Sequence, residues 1–413
     1  MRRRRFFQAG ALAGLTAAAG ARFRSVLAAP VGEPEARAPG ESKGEQLPAA
    51  PGPETYRKRI ANAQSLMRRQ RLDILFTEPG TSFKYLAGAS FGRSERLIAL
   101  LVPRSGDPAI VAPAFEVERV RRATNVKNVF GWEESEDPYG LVAAVLDKMS
   151  RRFRRIGFEG STRYEVFYAL GQALPRWIGV PGEPILRELR LHKTPEEVAF
   201  IRRAVEITEA AIAATFAGLE TGVTDREVAR ALSEELRKRG VEGGGLVQFG
   251  PTSALPHGGT EGQPLRLGMP VLIDAGCRVH GYTSDITRMH FFGSAPPDKY
   301  IEVYNTVLGA QTAAVEAARP GVTCEELDRV ARRVIEGAGY GKFFTHRLGH
   351  GIGMDGHEPP YLVQGNAQPI EPGMTFTIEP GIYLPGEWGI RLEDDFLVVE
   401  DGLRAFSTRP SAL

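Results

Sequence analysis

Apolar positions recur at helical spacing from Tyr56 onward, at Ile60, Ala63, Leu66 and Met67, and give way to the short run Ile74-Leu75-Phe76, a strand pattern. The period then switches several more times. Strand-like runs lie at 97–102, 109–111 and 155–158, and helical periods at 115–122, 141–149 and 164–174. Strands alternating with helices predict a smaller α/β domain over residues 54–190. A second domain, 191–413, opens on Thr194-Pro195-Glu196-Glu197, which has the form of a helix start: an N-cap, proline in the first turn, then acids. Ala199, Ile201, Ala204, Val205 and Thr208 carry an apolar stripe to about Leu219, and Thr224-Asp225-Arg226-Glu227 is a capping box that starts a second helix. After Gly240 the chain turns Gly-rich and β-branched, with two more helical stretches between Pro296 and Gly339.

Composition removes several functions. The chain has 413 residues, with 52 Lys and Arg against 50 Asp and Glu, a net charge of +2. That balance argues against a protein built to grip nucleic acid or an acidic membrane. Two cysteines, Cys277 and Cys324, are too few for a disulfide framework or a cysteine-based metal site, and they read as buried thiols or an incidental pair.

The charge is uneven along the chain. Residues 1–30 hold six arginines (Arg2, Arg3, Arg4, Arg5, Arg22 and Arg24) and no acid, and the remainder is −4. A basic start, an uncharged Ala/Gly-rich stretch over 9–21 and small residues before Pro30 have the order of a cleavable export signal over 1–29. That stretch is too short and too weakly apolar to span a bilayer. The arginines followed by Phe6 and Phe7 resemble a twin-arginine signal, which implies the twin-arginine export machinery as a partner and a periplasmic or secreted location. In residues 30–53, ten of 24 positions are Pro or Gly, the composition of a disordered linker.

The chemistry gathers in the second domain, where six of the seven histidines lie after position 250. Two strand patterns, 271–276 and 282–288, flank a turn at 278–281. A hairpin centred between Val279 and His280 sets Asp274 directly opposite Asp285, two acids on one face that repel unless a cation bridges them. Near the C-terminus, strands ending in Glu379 and Glu393 flank Pro385-Gly386, and pairing about Gly386 sets Glu379 opposite Glu393. Phe376, Ile378, Ile390 and Leu392 fall on the other face. Two hairpins, each with an acid pair on its polar side, make a metal-site pattern. Between them lies His346-Arg347-Leu348-Gly349-His350-Gly351-Ile352-Gly353, then His357-Glu358-Pro359-Pro360. No helix follows these glycines, so they are not a dinucleotide loop.

Asp274, Asp285, His350, Glu379 and Glu393 resemble the five ligands of the metallopeptidase family that holds methionine aminopeptidase, aminopeptidase P and prolidase. The Gly-His-Gly-Ile-Gly, Thr-Ile-Glu-Pro-Gly and Arg-Leu-Glu-Asp runs are its characteristic pieces. The resemblance implies an α+β "pita-bread" fold, a curved antiparallel sheet backed by helices, with two halves related by a pseudo-twofold. The preceding α/β domain and the His357–Pro360 run resemble the proline-specific, creatinase/prolidase-like branch. It further implies that Glu379 shuttles a proton and that His257, His346 and His357 contact substrate. Arg391 shares a strand face with Glu393 and is a candidate for fixing that ligand or binding a substrate carboxylate. Most such proteins are dimers.

Four carboxylates carry −4, which two divalent cations neutralise, and one imidazole among oxygen donors favours a hard ion such as Mn²⁺, with Co²⁺, Zn²⁺ and Fe²⁺ as the other candidates. Such a pair acidifies a bridging water into the attacking hydroxide. The function expected is an Xaa-Pro aminopeptidase of the aminopeptidase P type, acting on small peptides with proline at the second position. The alternatives are an Xaa-Pro dipeptidase (prolidase), a creatinase-like hydrolase or lyase on the same fold, and a peptide-binding pseudoenzyme. The last group should have lost ligands, and none of the five is lost.

Overall fold

The structure is a computed structural model that describes residues 46–413, apart from 150–152, 175, 257, 260 and 294. The predicted export signal, most of the linker and His257 lie outside the described residues. Among the described residues no helix is long and apolar enough to cross a membrane.

The first part of the described chain runs α1 (Pro53–Arg69), β1 (Ile74–Thr77), α2 (Thr81–Ala87), β2 (Ala99–Pro103), β3 (Ala109–Pro113), α3 (Val117–Ala123), β4 (Asn128–Trp132), α4 (Pro138–Met149), β5 (Arg155–Phe158), α5 (Tyr164–Ala173), β6 (Ile178–Pro181) and α6 (Glu183–Leu191). Its six strands form one mixed sheet, ordered β4-β3-β2-β1-β5-β6. The central strands β1, β2 and β3 are buried along their whole length, which is why their apolar runs stand out in the sequence. The sequence pattern gives no sign of β4 and β6. Both are edge strands, β6 is exposed along most of its length, and Gly179 and Pro181 hide it further.

The rest comprises α7 (Pro195–Ala217), α8 (Asp225–Lys238), β7 (Gly243–Phe249), β8 (Pro270–Val279), β9 (Tyr282–Thr283), β10 (Ile286–Phe291), α9 (Asp298–Ala317), α10 (Cys324–Gly337), β11 (Gly349–Gly351), β12 (Glu358–Leu362), β13 (Thr375–Ile378), β14 (Gly381–Leu384), β15 (Trp388–Arg391), β16 (Asp394–Val399) and β17 (Gly402–Ala405). Two helices followed by antiparallel strands occur twice. In the first set, α7 and α8 back β10-β8-β7; in the second, α9 and α10 pack on β12-β11-β13-β16-β17. This is the expected curved, helix-backed architecture. An isolated bridge between Thr287 and Glu393 joins the two sets at the centre.

The helix starts form as the sequence predicts. Thr194 and Glu197 make a reciprocal capping box on α7, and Thr224 and Glu227 do so on α8, each contributing about 1 kcal/mol. Glu197 does more than cap. Its Oε1 accepts from Arg59 of α1 at 2.9 Å and from the Tyr282 hydroxyl of β9 at 2.6 Å, so one buried carboxylate ties α1, α7 and β9 together.

One register differs from expectation. In the β8–β10 hairpin Asp274 pairs with Thr287, not with Asp285. The turn is centred one residue later, between His280 and Gly281, both at positive φ (49° and 94°), the two-residue turn whose twist matches the strands. Asp285 falls in the break between β9 and β10, and the two aspartates become diagonal neighbours on the same face. The second hairpin keeps its predicted register: Ile382 pairs with Ile390 and Phe376 with Phe396, in line with Glu379 opposite Glu393. Its ladder breaks at those two acids, dividing one long hairpin into β13/β16 and β14/β15.

Candidate metal centre

All five expected ligands converge. Asp274, Asp285 and Glu393 each offer one oxygen within 4.8 Å of the others; His350, Glu379 and Glu393 do the same, and so do Asp285, His350 and His357. Each ligand has a structural reason to be there. His350 sits mid-strand in β11, sandwiched between β12 and β13, and side chains at Gly349 or Gly351 would strike the Thr377 and Pro359 carbonyls. That close approach explains the Gly-His-Gly run. Glu379 and Glu393 occupy the ladder break, where Glu379 N–H donates to the Leu348 carbonyl and Glu393 N–H to the Thr287 carbonyl. Asp285 is held by its backbone N–H, which donates to Asp395 at 2.9 Å.

The donor set fits divalent cations. His350 Nδ1 lies 3.2 Å from the Gly351 carbonyl, which only accepts, so that nitrogen carries the proton. The Nε2 edge then faces Glu379 Oε1 at 3.2 Å and Asp285 Oδ2 at 3.8 Å, where a cation would sit between them. Burial, then the charges of Asp274, Asp395 and Glu379, push the Asp285 carboxyl well above the ordinary range. Glu393 is pushed up by burial and then by Asp285, Glu379 and Asp274. Burial also opposes the charge on Glu379, but His350, His346 and Arg391 outweigh it and hold that carboxyl down at about 2.

Arg391 is 3% exposed and fully engaged: Nη2 donates to Asp274 at 2.6 Å, Nε to Thr287 Oγ1 at 3.1 Å and Nη1 to the Tyr383 hydroxyl at 2.9 Å. Its expected contact with Glu393 is indirect: the guanidinium is on Asp274, the other hairpin's candidate ligand, and reaches Glu393 only through Thr287. Thr287 passes the tie on, donating from Oγ1 to Glu393 Oε2 at 2.5 Å. A second chain runs through Tyr383, whose hydroxyl lies 2.8 Å from His346 Nε2, while His346 Nδ1 donates to the Arg347 carbonyl at 2.7 Å. His346 is thereby held as the Nδ1–H tautomer, with Nε2 accepting.

These groups line a cavity of about 660 Å³ that includes Pro256, Arg347, Val363, His346 and His357 with the five ligands. Sequence reasoning missed Tyr383, Thr287 and Asp395. Tyr383 lies diagonal to Arg391 in the predicted register of β14 and β15, so that register alone could have pointed to it. Thr287 follows only from the corrected turn. Both cysteines are free and buried, so the incidental pairing does not form.

The sequence profile of Metallopeptidase family M24 matches residues 199–400, and that of the Creatinase/Prolidase N-terminal domain matches 59–192. An Xaa-Pro dipeptidase of Lactobacillus helveticus is 38% identical over 352 residues, covering 83% of this chain and 95% of that protein. The crystal structure of dipeptidase PepE from Mycobacterium ulcerans superposes with a TM-score of 0.82 at 35% identity, covering 88% of this chain and 99% of that one. A recombinant prolidase from Thermococcus sibiricus gives 0.79 at 32% identity, with 87% and 98% covered.

Proposed function

Because the chain belongs to metallopeptidase family M24, we propose that it is an Xaa-Pro dipeptidase that releases proline from dipeptides at a two-metal centre. The observation that carries the hydrolytic part is the convergence of four carboxylates and one imidazole on a single cavity. Support for dipeptides over longer peptides comes from relatives named as dipeptidases and prolidase. The aminopeptidase P reading thus yields to its alternative.

Asp274, Asp285, His350, Glu379 and Glu393 would hold the metals, which when bound neutralise the carboxylates and acidify a water. The protein's own contribution is placement. Arg391 and Thr287 fix Asp274 and Glu393, and Glu379, with Thr377 Oγ1 at 3.2 Å from Oε1, is the carboxylate set to carry a proton between water and the leaving imide nitrogen. The Tyr383–His346 pair faces the same cavity, where charge develops on the scissile carbonyl oxygen.

The native metal in this reading is Mn²⁺, on the strength of the oxygen-rich donor set. Export by the twin-arginine route rests on the N-terminal arginines, and a homodimer on the resemblance, aided by exposed Tyr164, Tyr168 and Ile178 near edge strand β6. Metal analysis of periplasmic protein and light scattering check these three; zinc as the occupying metal, a cytoplasmic location or a monomer would each remove one. The test of the function compares turnover of an Xaa-Pro dipeptide with an Xaa-Pro-Yaa tripeptide by Mn²⁺-loaded protein, with Asp274→Asn as the blank. Dipeptide cleavage alone supports the proposal. Efficient release of Xaa from the tripeptide would return the aminopeptidase reading.

A further inference from the structure

A dipeptide brings a C-terminal carboxylate into a cavity whose floor already carries four. Metal ions neutralise the floor, but the incoming carboxylate needs a cation of its own, placed to one side. Among the described residues two arginines line the cavity, Arg391 and Arg347. Arg391 is buried and fully engaged with Asp274, Thr287 and Tyr383.

Arg347 differs in each respect. It is half-buried at the cavity wall, and no carboxylate pairs with it among the described residues. Its guanidinium lies over the Tyr361 ring, 4.7 Å from the centroid, and Nη2 is 3.3 Å from His357 Nδ1. Its backbone is fixed as well, because its carbonyl accepts from His346 Nδ1 and the next residue, Leu348, donates from its N–H to Asp328 at 3.0 Å. A planar cation held on an aromatic face, with donor edges left for a ligand, is a carboxylate receptor. Because an arginine N–H can only donate, His357 Nδ1 accepts it, which leaves the His357 proton on Nε2.

We propose that Arg347, seated on Tyr361, holds the C-terminal carboxylate of the dipeptide and so sets the length of peptide the enzyme accepts. The inference rests on the Xaa-Pro dipeptidase reading above. A tripeptide places a neutral amide where the carboxylate would sit, and loses the charge-assisted hydrogen bonds. Bonds of that kind are worth about 10- to 100-fold in kcat/KM.

The experiment measures kcat/KM of the metal-loaded full chain on alanyl-proline and on alanyl-prolinamide, for wild type, Arg347→Gln and Arg347→Lys, with metal content determined for each. The expected result is an acid-to-amide ratio of about 10 to 100 in wild type, a ratio close to one in Arg347→Gln, and an intermediate one in Arg347→Lys. A ratio that survives in Arg347→Gln, even if both activities fall together, overturns the inference and leaves Arg347 as a prop for His357. A wild-type ratio near one overturns it as well, while leaving Xaa-Pro cleavage standing. No cleavage of either substrate by wild type sinks the Xaa-Pro reading, and this inference with it.

Discussion

Arg391 Nη2 lies 2.6 Å from Asp274 Oδ2, so a candidate ligand of one hairpin is held by a cation two residues from a candidate ligand of the other. The two halves of the site are therefore mechanically coupled. Arg391→Lys keeps the charge but loses the fork that reaches Asp274, Thr287 and Tyr383 together. It should weaken metal binding about 10- to 100-fold, read by metal titration. Unchanged affinity would show that the arginine is a bystander.

Tyr383 links the same arginine to His346. Tyr383→Phe removes one hydroxyl from a chain of hydrogen bonds without changing the shape of the wall. Its expected effect is a fall in kcat of about 10- to 100-fold, with full metal content and little change in KM. Loss of metal instead would assign Tyr383 to the ligand scaffold.

Chelation should show a definite dependence on pH. The Asp285 and Glu393 carboxyls are raised well above the ordinary range, first by burial and then by their acidic neighbours. A raised carboxyl stabilises the fold fully below its unfolded value, and that contribution is lost as pH rises through the folded value. Metal-stripped protein should therefore lose thermal stability as pH increases from about 4 towards neutrality. Stabilisation by saturating Mn²⁺ should grow over the same span, since binding displaces those protons. Unfolding scans with and without chelator across that window would contradict this if the metal-dependent shift stayed constant.

Beside the site, Lys193 and Glu358 pair at 2.7 Å with side chains 2% and 3% exposed. Lys193→Met leaves Glu358 partly uncompensated next to His357, although Arg190 stands 4.0 Å away. A cost of about 3 kcal/mol is expected in denaturant unfolding, at the low end for a broken buried pair. A cost under about 1 kcal/mol would mean that Arg190 takes over.

Much of this was readable in advance where local rules act alone. The helix starts at Thr194 and Thr224 follow from capping chemistry, and the Glu379–Glu393 register follows from one turn and alternating burial. The Asp274–Asp285 register differs because the turn takes positive φ at His280 as well as Gly281, which centres it one residue later than the sequence pattern suggests. Asp395 was invisible for another reason. It lies buried in a largely apolar strand and acts on Asp285, accepting from its backbone N–H and adding charge beside its carboxyl, a contact 110 residues distant that no local pattern encodes. Edge strands β4 and β6 were missed because a strand with one neighbour needs no continuous apolar run.

The central claim is that the site would hold two metal ions and that Glu393 would serve both, because it belongs both to the group with Asp274 and Asp285 and to the group with His350 and Glu379. Equilibrium dialysis of stripped protein against Mn²⁺, counting bound metal per chain, tests it directly. The account predicts two ions per wild-type chain and loss of both in Glu393→Gln at the same free concentration. A single ion in wild type, or two retained in Glu393→Gln, would contradict it.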